Sequence, residues 1–188
     1  MTGGFIVTAI SVVNVYKCLE ICLSTRLSFF HALNDMAVCA RKDVVSILRL
    51  LWSLGKISPS IFFKLFDVQI QAILINGAEV WGLEADLEIM EKIHLFALRR
   101  FLNVSIRTQI IMVYHETGRY PLFVNVFVKC VKYWLRLLKM PSHRFPHKSY
   151  RMFHYLHEQN RSTWASSACF VLYKYGVNLV WENPGRWR

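Results

Sequence analysis

The stretch FFKLFDVQIQAILINGAEVWG, residues 62–82, decides how the rest of the chain is read. Phe62, Leu65, Phe66, Ile70 and Ile73 recur at three- and four-residue steps, the period of a helix with one buried face. Ser58 and Pro59 stand just ahead, Ser as a cap and Pro in the first turn, so a helix is expected to start there and run to Gly77 or Gly82. A Glu, a Trp and two glycines close it. Near a helix C-terminus the dipole disfavours a carboxylate, so an ionised Glu79 needs a basic partner, with Arg99, Arg100 or Arg119 as candidates. The expected role is a structural joint: Gly77 and Gly82 let the backbone turn, Trp81 plugs the next helix into the core, and Glu79 fixes the angle. Direct ligand contact is the lesser alternative.

Working outward, Phe29 to Leu54 places Leu33, Ala37, Ala40, Val44, Ile47, Leu48 and Leu51 at the same steps, and Gly55 fits a helix C-terminus. Phe5 to Leu23 is rich in Ile, Val, Thr and Tyr, with Gly3, Gly4 and Asn14 as turn positions, which predicts one or two strands. On the other side, Asp86 opens DLEIMEKIHLFALRRFLNV, whose acidic first turn and basic end at Arg99 and Arg100 suit the helix dipole. Arg107 to Thr117 reads as a short helix closed by Gly118, and Tyr120 to Met140 as a longer one closed by Pro141. PSHRFPHK, residues 141–148, is expected to be a proline-bearing joint. Helices over Ser149 to Asn160 and Ser162 to Tyr175 follow, then Gly176 and a frayed GRWR tail. The predicted fold is mainly α: a helical bundle preceded by a short β-strand or hairpin. Its segments are residues 1–28, 29–140 and 141–188.

Composition narrows the class. With 54% hydrophobic and 19% charged residues among 188, the chain is too apolar for intrinsic disorder. Lys and Arg outnumber Asp and Glu by 23 to 12, a formal charge of +11, which points to a polyanionic partner. The opening MTGGFIVTAISVVNVY has no basic leader region and no clear cleavage site, and Asn14 and Lys17 interrupt it short of a span. It is expected to be a strand, and membrane attachment is not expected. Cys18, Cys22, Cys39, Cys130 and Cys169 are odd in number and sit mostly in apolar segments, as free thiols do in a reducing compartment, so an intracellular (cytoplasmic or nuclear) location is expected.

The strongest physical signal is where the charge lies. Arg119, Lys129, Lys132, Arg136, Lys139, Arg144, Lys148 and Arg151 fall in a window with no Asp or Glu. Lys129, Lys132, Arg136 and Lys139 follow helical spacing and form one basic stripe opposite Phe127, Val131, Trp134 and Leu138. Such a stripe can track the phosphates of an RNA or DNA duplex, although a basic row alone carries little sequence specificity. Cys130, His143 and His147 reproduce half of a zinc-finger spacing, but no second Cys lies near Cys130 and Pro146 separates the histidines. The four aspartates, Asp35, Asp43, Asp67 and Asp86, are scattered, and no nucleophile elbow or metal-binding HExxH helix is present. No catalytic set, metal, cofactor or small-molecule substrate is expected.

The order of several segments carries a resemblance. VVNVYKCLEICLSTRLSF, FFKLFDVQIQAILINGAEVWG, MEKIHLFALRRFLNV, VYHETGRYPL and KYWLRLL together resemble the region just downstream of the polymerase core in LINE-like, non-LTR retrotransposon reverse transcriptases. The likeness covers Val12 to Met140 and extends to Trp181. It implies that Cys18, Leu19, Glu20 and Ile21 match a primer-grip hairpin motif usually of the form Tyr-Leu-Gly-Ile. It further implies that the helices form a thumb, which packs along the template–primer duplex. The sequence departs from the family where Glu20 replaces Gly, Ala72 and Asn76 replace Pro and Tyr, and His115 replaces Gly. A Glu at position 20 removes a turn residue and sets a carboxylate near a primer phosphate, which argues against primer gripping. The family's catalytic Asp-Asp motif lies upstream and is missing here. The resemblance therefore implies a truncated, non-catalytic remnant of an RNA-directed DNA polymerase. The alternative is a helical interaction module, or an inert fragment, whose exposed apolar surface drives self-association.

Overall fold

A computed structural model describes residues 15–18, 21–24, 28–55 and 58–183. The readings placed on Phe5 to Asn14, on Leu19 and Glu20, and on the GRWR tail lie outside the described residues. The fold is mainly α, with one small hairpin in front. Strands β1 (Val15–Cys18) and β2 (Ile21–Ser24) pair antiparallel, Tyr16 opposite Leu23 and Cys18 opposite Ile21. Helix α1 (Phe30–Ser53) follows, and all seven of its expected core positions are buried. It ends before Gly55, whose φ of +86° is the left-handed conformation that glycine adopts without penalty.

The second helical run starts at Pro59, as expected, with α2 (Pro59–Leu65). Ser58, however, makes no side-chain cap bond, so proline's fixed φ sets the start and not the serine hydroxyl. The run then widens into a π-helical segment, Phe66–Gln71, and tightens again into α3 (Ala72–Leu74). The sequence explains why. Phe62, Phe66, Ile70, Leu74 and Ala78, each four residues from the next, are all fully buried. In an α-helix a four-residue step overshoots one turn by about 40°, so such a row drifts off the buried face. The slower winding of a π segment brings it back.

A left-handed Gly77, at φ +64°, breaks the run before the four-residue helix α4 (Ala78–Trp81). Helix α5 (Glu88–Leu102) is led in by Asp86, whose carboxylate accepts from the Glu88 amide at 2.9 Å. It closes at Asn103 in the left-handed region, with Arg99 and Arg100 in the last turn. Helix α6 (Ile110–Thr117) begins three residues later than its pattern suggested and stops at left-handed Gly118. Helix α7 (Leu122–Lys139) is the longest after α1. Helix α8 (Phe145–Glu158) takes Pro146 into its first turn, so the joint read over residues 141–148 shrinks to residues 141–144. Thr163 and Ser166 form a reciprocal capping box for α9 (Trp164–Lys174). A short α10 (Asn178–Glu182), which the sequence reading missed, packs on α9.

Two apolar clusters organise these elements. The larger joins α1, α2, the π segment, α3, α4 and α5 with Val113 of α6 and Leu122, Val126 and Cys130 of α7. The smaller holds Trp134 and Leu137 of α7 with Tyr150, Ala165 and Leu172, and Trp181 packs against it. The core thus changes hands inside α7, between Cys130 and Trp134. Among the described residues no helix is long and apolar enough to cross a membrane.

Candidate nucleic-acid interface

The basic residues read from the sequence divide into two groups. Lys132, Arg136, Lys139, Arg144 and Lys148 are exposed, and none forms an ion pair among the described residues. They run down α7 and into α8, and the guanidinium of Arg136 lies 5.6 Å over the Tyr133 ring. Behind them α7 turns its apolar side, Leu122, Val126, Cys130, Trp134 and Leu137, into the protein. That segregation keeps Lys132, Arg136 and Lys139 on one solvent-facing side of α7, and exposed Arg144 and Lys148 follow in chain order.

Arg119 and Lys129 do not belong to this set. The Arg119 guanidinium forks onto the Asp67 carboxylate, with Nη2 donating to Oδ2 at 2.9 Å, and lies 4.7 Å over the Phe63 ring. It ties residue 119 to the π segment. Lys129 points into the Gly77 joint, where its ammonium donates to the Ile75 carbonyl at 2.7 Å and stands 3.0 Å from Glu79 Oε2. Spacing alone cannot separate these two from their neighbours, because what diverts them is an acceptor far away in sequence.

At that joint the four sequence-marked residues meet, but their roles differ from expectation. Glu79 lies in the first turn of α4, where the dipole favours a carboxylate, and not at a helix C-terminus. Its partner is Lys129. Arg99 instead donates to the Thr108 carbonyl at 2.9 Å, Arg100 stacks near Phe96, and Arg119 holds Asp67. Trp81 is fully buried, and its indole N–H donates to the Asn76 carbonyl at 2.9 Å. Gly77 does supply a turn. Gly82 has an ordinary φ of −69°, so its lack of a side chain serves another purpose: a Cβ there would sit 2.4 Å from Val126 Cγ1 and 2.5 Å from the Ala78 carbonyl oxygen. Glycine is needed for close approach to α7.

Carbonyls around the joint are claimed from several directions. Lys129 takes that of Ile75, Trp81 that of Asn76, Cys130 Sγ that of Ala78 at 3.2 Å, and Trp164 Nε1 that of Glu79 at 3.1 Å. Side chains from α7 and α9 thereby tie the Ile75, Ala78 and Glu79 carbonyls to other helices, while those of Ile75 and Ala78 also accept from the Ala78 and Gly82 amides. Burial raises the Cys130 thiol to about 12, with the Glu79 charge adding to the rise. That thiol is a buried structural donor and not a nucleophile.

For Glu79 burial pushes the carboxyl up. Its own backbone N–H, the Lys129 ammonium and the Arg136 charge together outweigh that and hold it below its ordinary 4.5. A carboxyl lowered on folding contributes stability above its unfolded value, and that stability is lost as the pH falls through the folded value. Glu79→Gln should therefore flatten the acid side of a melting-temperature-versus-pH curve below pH 4.5. An unchanged acid limb would show that the Glu79–Lys129 pair is not held.

A second polar centre escaped the sequence reading. Glu91 accepts from the Tyr114 hydroxyl and, at 2.8 Å, from the Leu122 amide, and its carboxylate lies 3.5 Å from Nδ1 of buried His94. One carboxylate thereby joins α5, α6 and the start of α7. The Glu-x-x-His spacing is visible in the sequence, but nothing marks Tyr114 or the Leu122 amide as its partners.

Among the described residues no group of three or more His, Cys, Asp or Glu is placed to hold a metal ion. Cys130 and His147, two members of the half zinc spacing, bond instead to the carbonyls of Ala78 and Leu137. Cys39, Cys130 and Cys169 are free thiols. The chain matches no protein-family model, no curated protein and no solved structure.

Proposed function

We propose that the chain is a thumb-like helical unit of the LINE-like reverse-transcriptase kind, which grips a nucleic-acid duplex by its phosphates and has no polymerase chemistry of its own. One observation carries this reading: Lys132, Arg136 and Lys139 on one side of α7, followed by Arg144 and Lys148, are exposed and have no ion-pair partner among the described residues, in a chain of formal charge +11. Charges already paired cannot neutralise phosphates without breaking the pair. These five can, by releasing counterions from the nucleic acid. The order of segments, which resembles that of the polymerase family, supports the same assignment.

Binding should weaken steeply with salt, by roughly 0.9 log units per log unit of salt for each phosphate neutralised on B-DNA. Replacing both Lys132 and Arg136 with Ala should reduce that slope by about 1.8 if each meets one phosphate. Lys129→Met, which removes a cation pointing into the joint, should leave the slope unchanged. Affinity measured across a salt series decides the matter: binding insensitive to salt, or a slope that the double variant leaves intact, overturns the reading. Extension of an annealed DNA primer on an RNA template by the purified chain would overturn its non-catalytic part.

A protein-interaction module is the second reading, favoured by the apolar corner around α6. There Ile106, Ile110, Ile111 and Met112 are all half or more exposed. Self-association in size-exclusion chromatography that neither salt nor nucleic acid relieves would favour it.

A further inference from the structure

The second apolar cluster opens at the surface in a groove of about 430 Å³ between α7, α8 and α10. Its floor is a stack of rings. Trp134 and Trp181 lie 5.1 Å apart at 17°, and Trp181 and His154 5.8 Å apart at 16°, so three rings run nearly parallel. His157 meets Trp181 edge-on at 6.0 Å, and the Trp134 N–H donates to the Tyr150 hydroxyl at 3.0 Å, which fixes the inner ring. Tyr155 stands exposed at the mouth, and the His154 side chain is 40% exposed. The stack therefore continues to the surface and ends on rings reachable by solvent.

Charge is arranged to match. Arg144, Lys148 and Arg151 follow one another at four- and three-residue steps along α8, all exposed, and Arg151 lines the groove itself. Glu158 faces His154 at 3.4 Å on the far side. A carboxylate there repels phosphate from that end and leaves it at the Arg151 end. Among the described residues no three His, Cys, Asp or Glu side chains are placed to hold a metal ion, so these histidines form no metal set.

We propose that this groove takes an unstacked base of a single-stranded nucleic acid, laid on the outer face of His154, the solvent end of the stack, while the adjoining phosphates follow Arg151, Lys148 and Arg144. The inference rests on the nucleic-acid reading above and deepens it, from backbone contact to a base-holding site. A paired base inside a duplex offers no free face to a ring, whereas a splayed base does, and stacking tolerates any sequence because every base has a π-face.

The test compares three fluorescent probes at one salt concentration: a short single strand, the same strand with abasic residues, and a duplex of the same length. The single strand should bind roughly tenfold more tightly than its abasic counterpart. His154→Ala should erase that difference and His154→Phe should keep most of it, with duplex affinity unaltered in both. Equal binding of base-bearing and abasic strands, with salt-sensitive binding intact, overturns the groove and leaves the backbone reading standing. No binding of any probe removes the backbone reading and the groove together. Should His154→Ala lose helical circular dichroism, His154→Phe and the abasic comparison on the unaltered chain decide.

Discussion

Trp81→Ala should destabilise the protein by about 4 kcal/mol, the range in which fully buried aromatic side chains fall on truncation. Trp81 is among the largest fully buried side chains and sits in the larger cluster where α4 meets its neighbours. Its removal leaves a cavity that a four-residue helix held at both ends cannot collapse to fill. It also strips the Asn76 carbonyl of its donor, a further loss of about 1 kcal/mol. For a chain of this size the melting temperature should fall by roughly 12 °C. Trp81→Phe, which keeps most of the ring but not the N–H, should cost about 1–2 kcal/mol. Trp52, 57% exposed on α1, provides the comparison, and its truncation should fall within about 0.5 kcal/mol of neutral. Equal melting curves for Trp81→Ala and Trp52→Ala would mean that the joint is not packed as described.

Gly82→Ala should cost about 2–3 kcal/mol, more than Gly77→Ala, although Gly77 is the residue with a positive φ. At Gly77 the penalty is conformational, about 1 kcal/mol for an alanine held in the left-handed region. At Gly82 it is steric, because the new methyl meets Val126 Cγ1 and the Ala78 carbonyl at once. A side chain can swing aside, but the carbonyl, already bonded to the Gly82 amide at 2.7 Å, cannot. Val126→Ala introduced together with Gly82→Ala should therefore restore only part of the loss. Denaturant titrations of the two single variants and the pair give the ordering. A Gly82→Ala variant as mild as Gly77→Ala would refute the close approach of α4 to α7.

Helices whose burial follows a simple period were legible before any coordinates. Every expected core position of α1 is buried, and left-handed Gly55, Gly77 and Gly118 fall where the pattern ends. The π segment was not legible, because a row at four-residue spacing reads as an ordinary helix until its drift is counted over several steps. Helix α10 is too short to show a period. At the candidate interface, exposure of Lys132, Arg136 and Lys139 could be read from helical phase. The diversion of Arg119 to Asp67 and of Lys129 to Glu79 could not, for those acceptors lie 52 and 50 residues away in the chain. Glu79 itself was misplaced on the wrong end of a helix, because the break at Gly77 starts a new one.

Helix α7 runs unbroken through both apolar clusters, its first half seated in one and its second half in the other. Neither cluster can therefore melt without fraying the rod on which the other stands, so heat or denaturant should dissolve them together in one step. The same rod reaches the Gly77 bend directly, through Lys129 on the Ile75 carbonyl and Cys130 on that of Ala78, so loosening the bend should be felt in both halves.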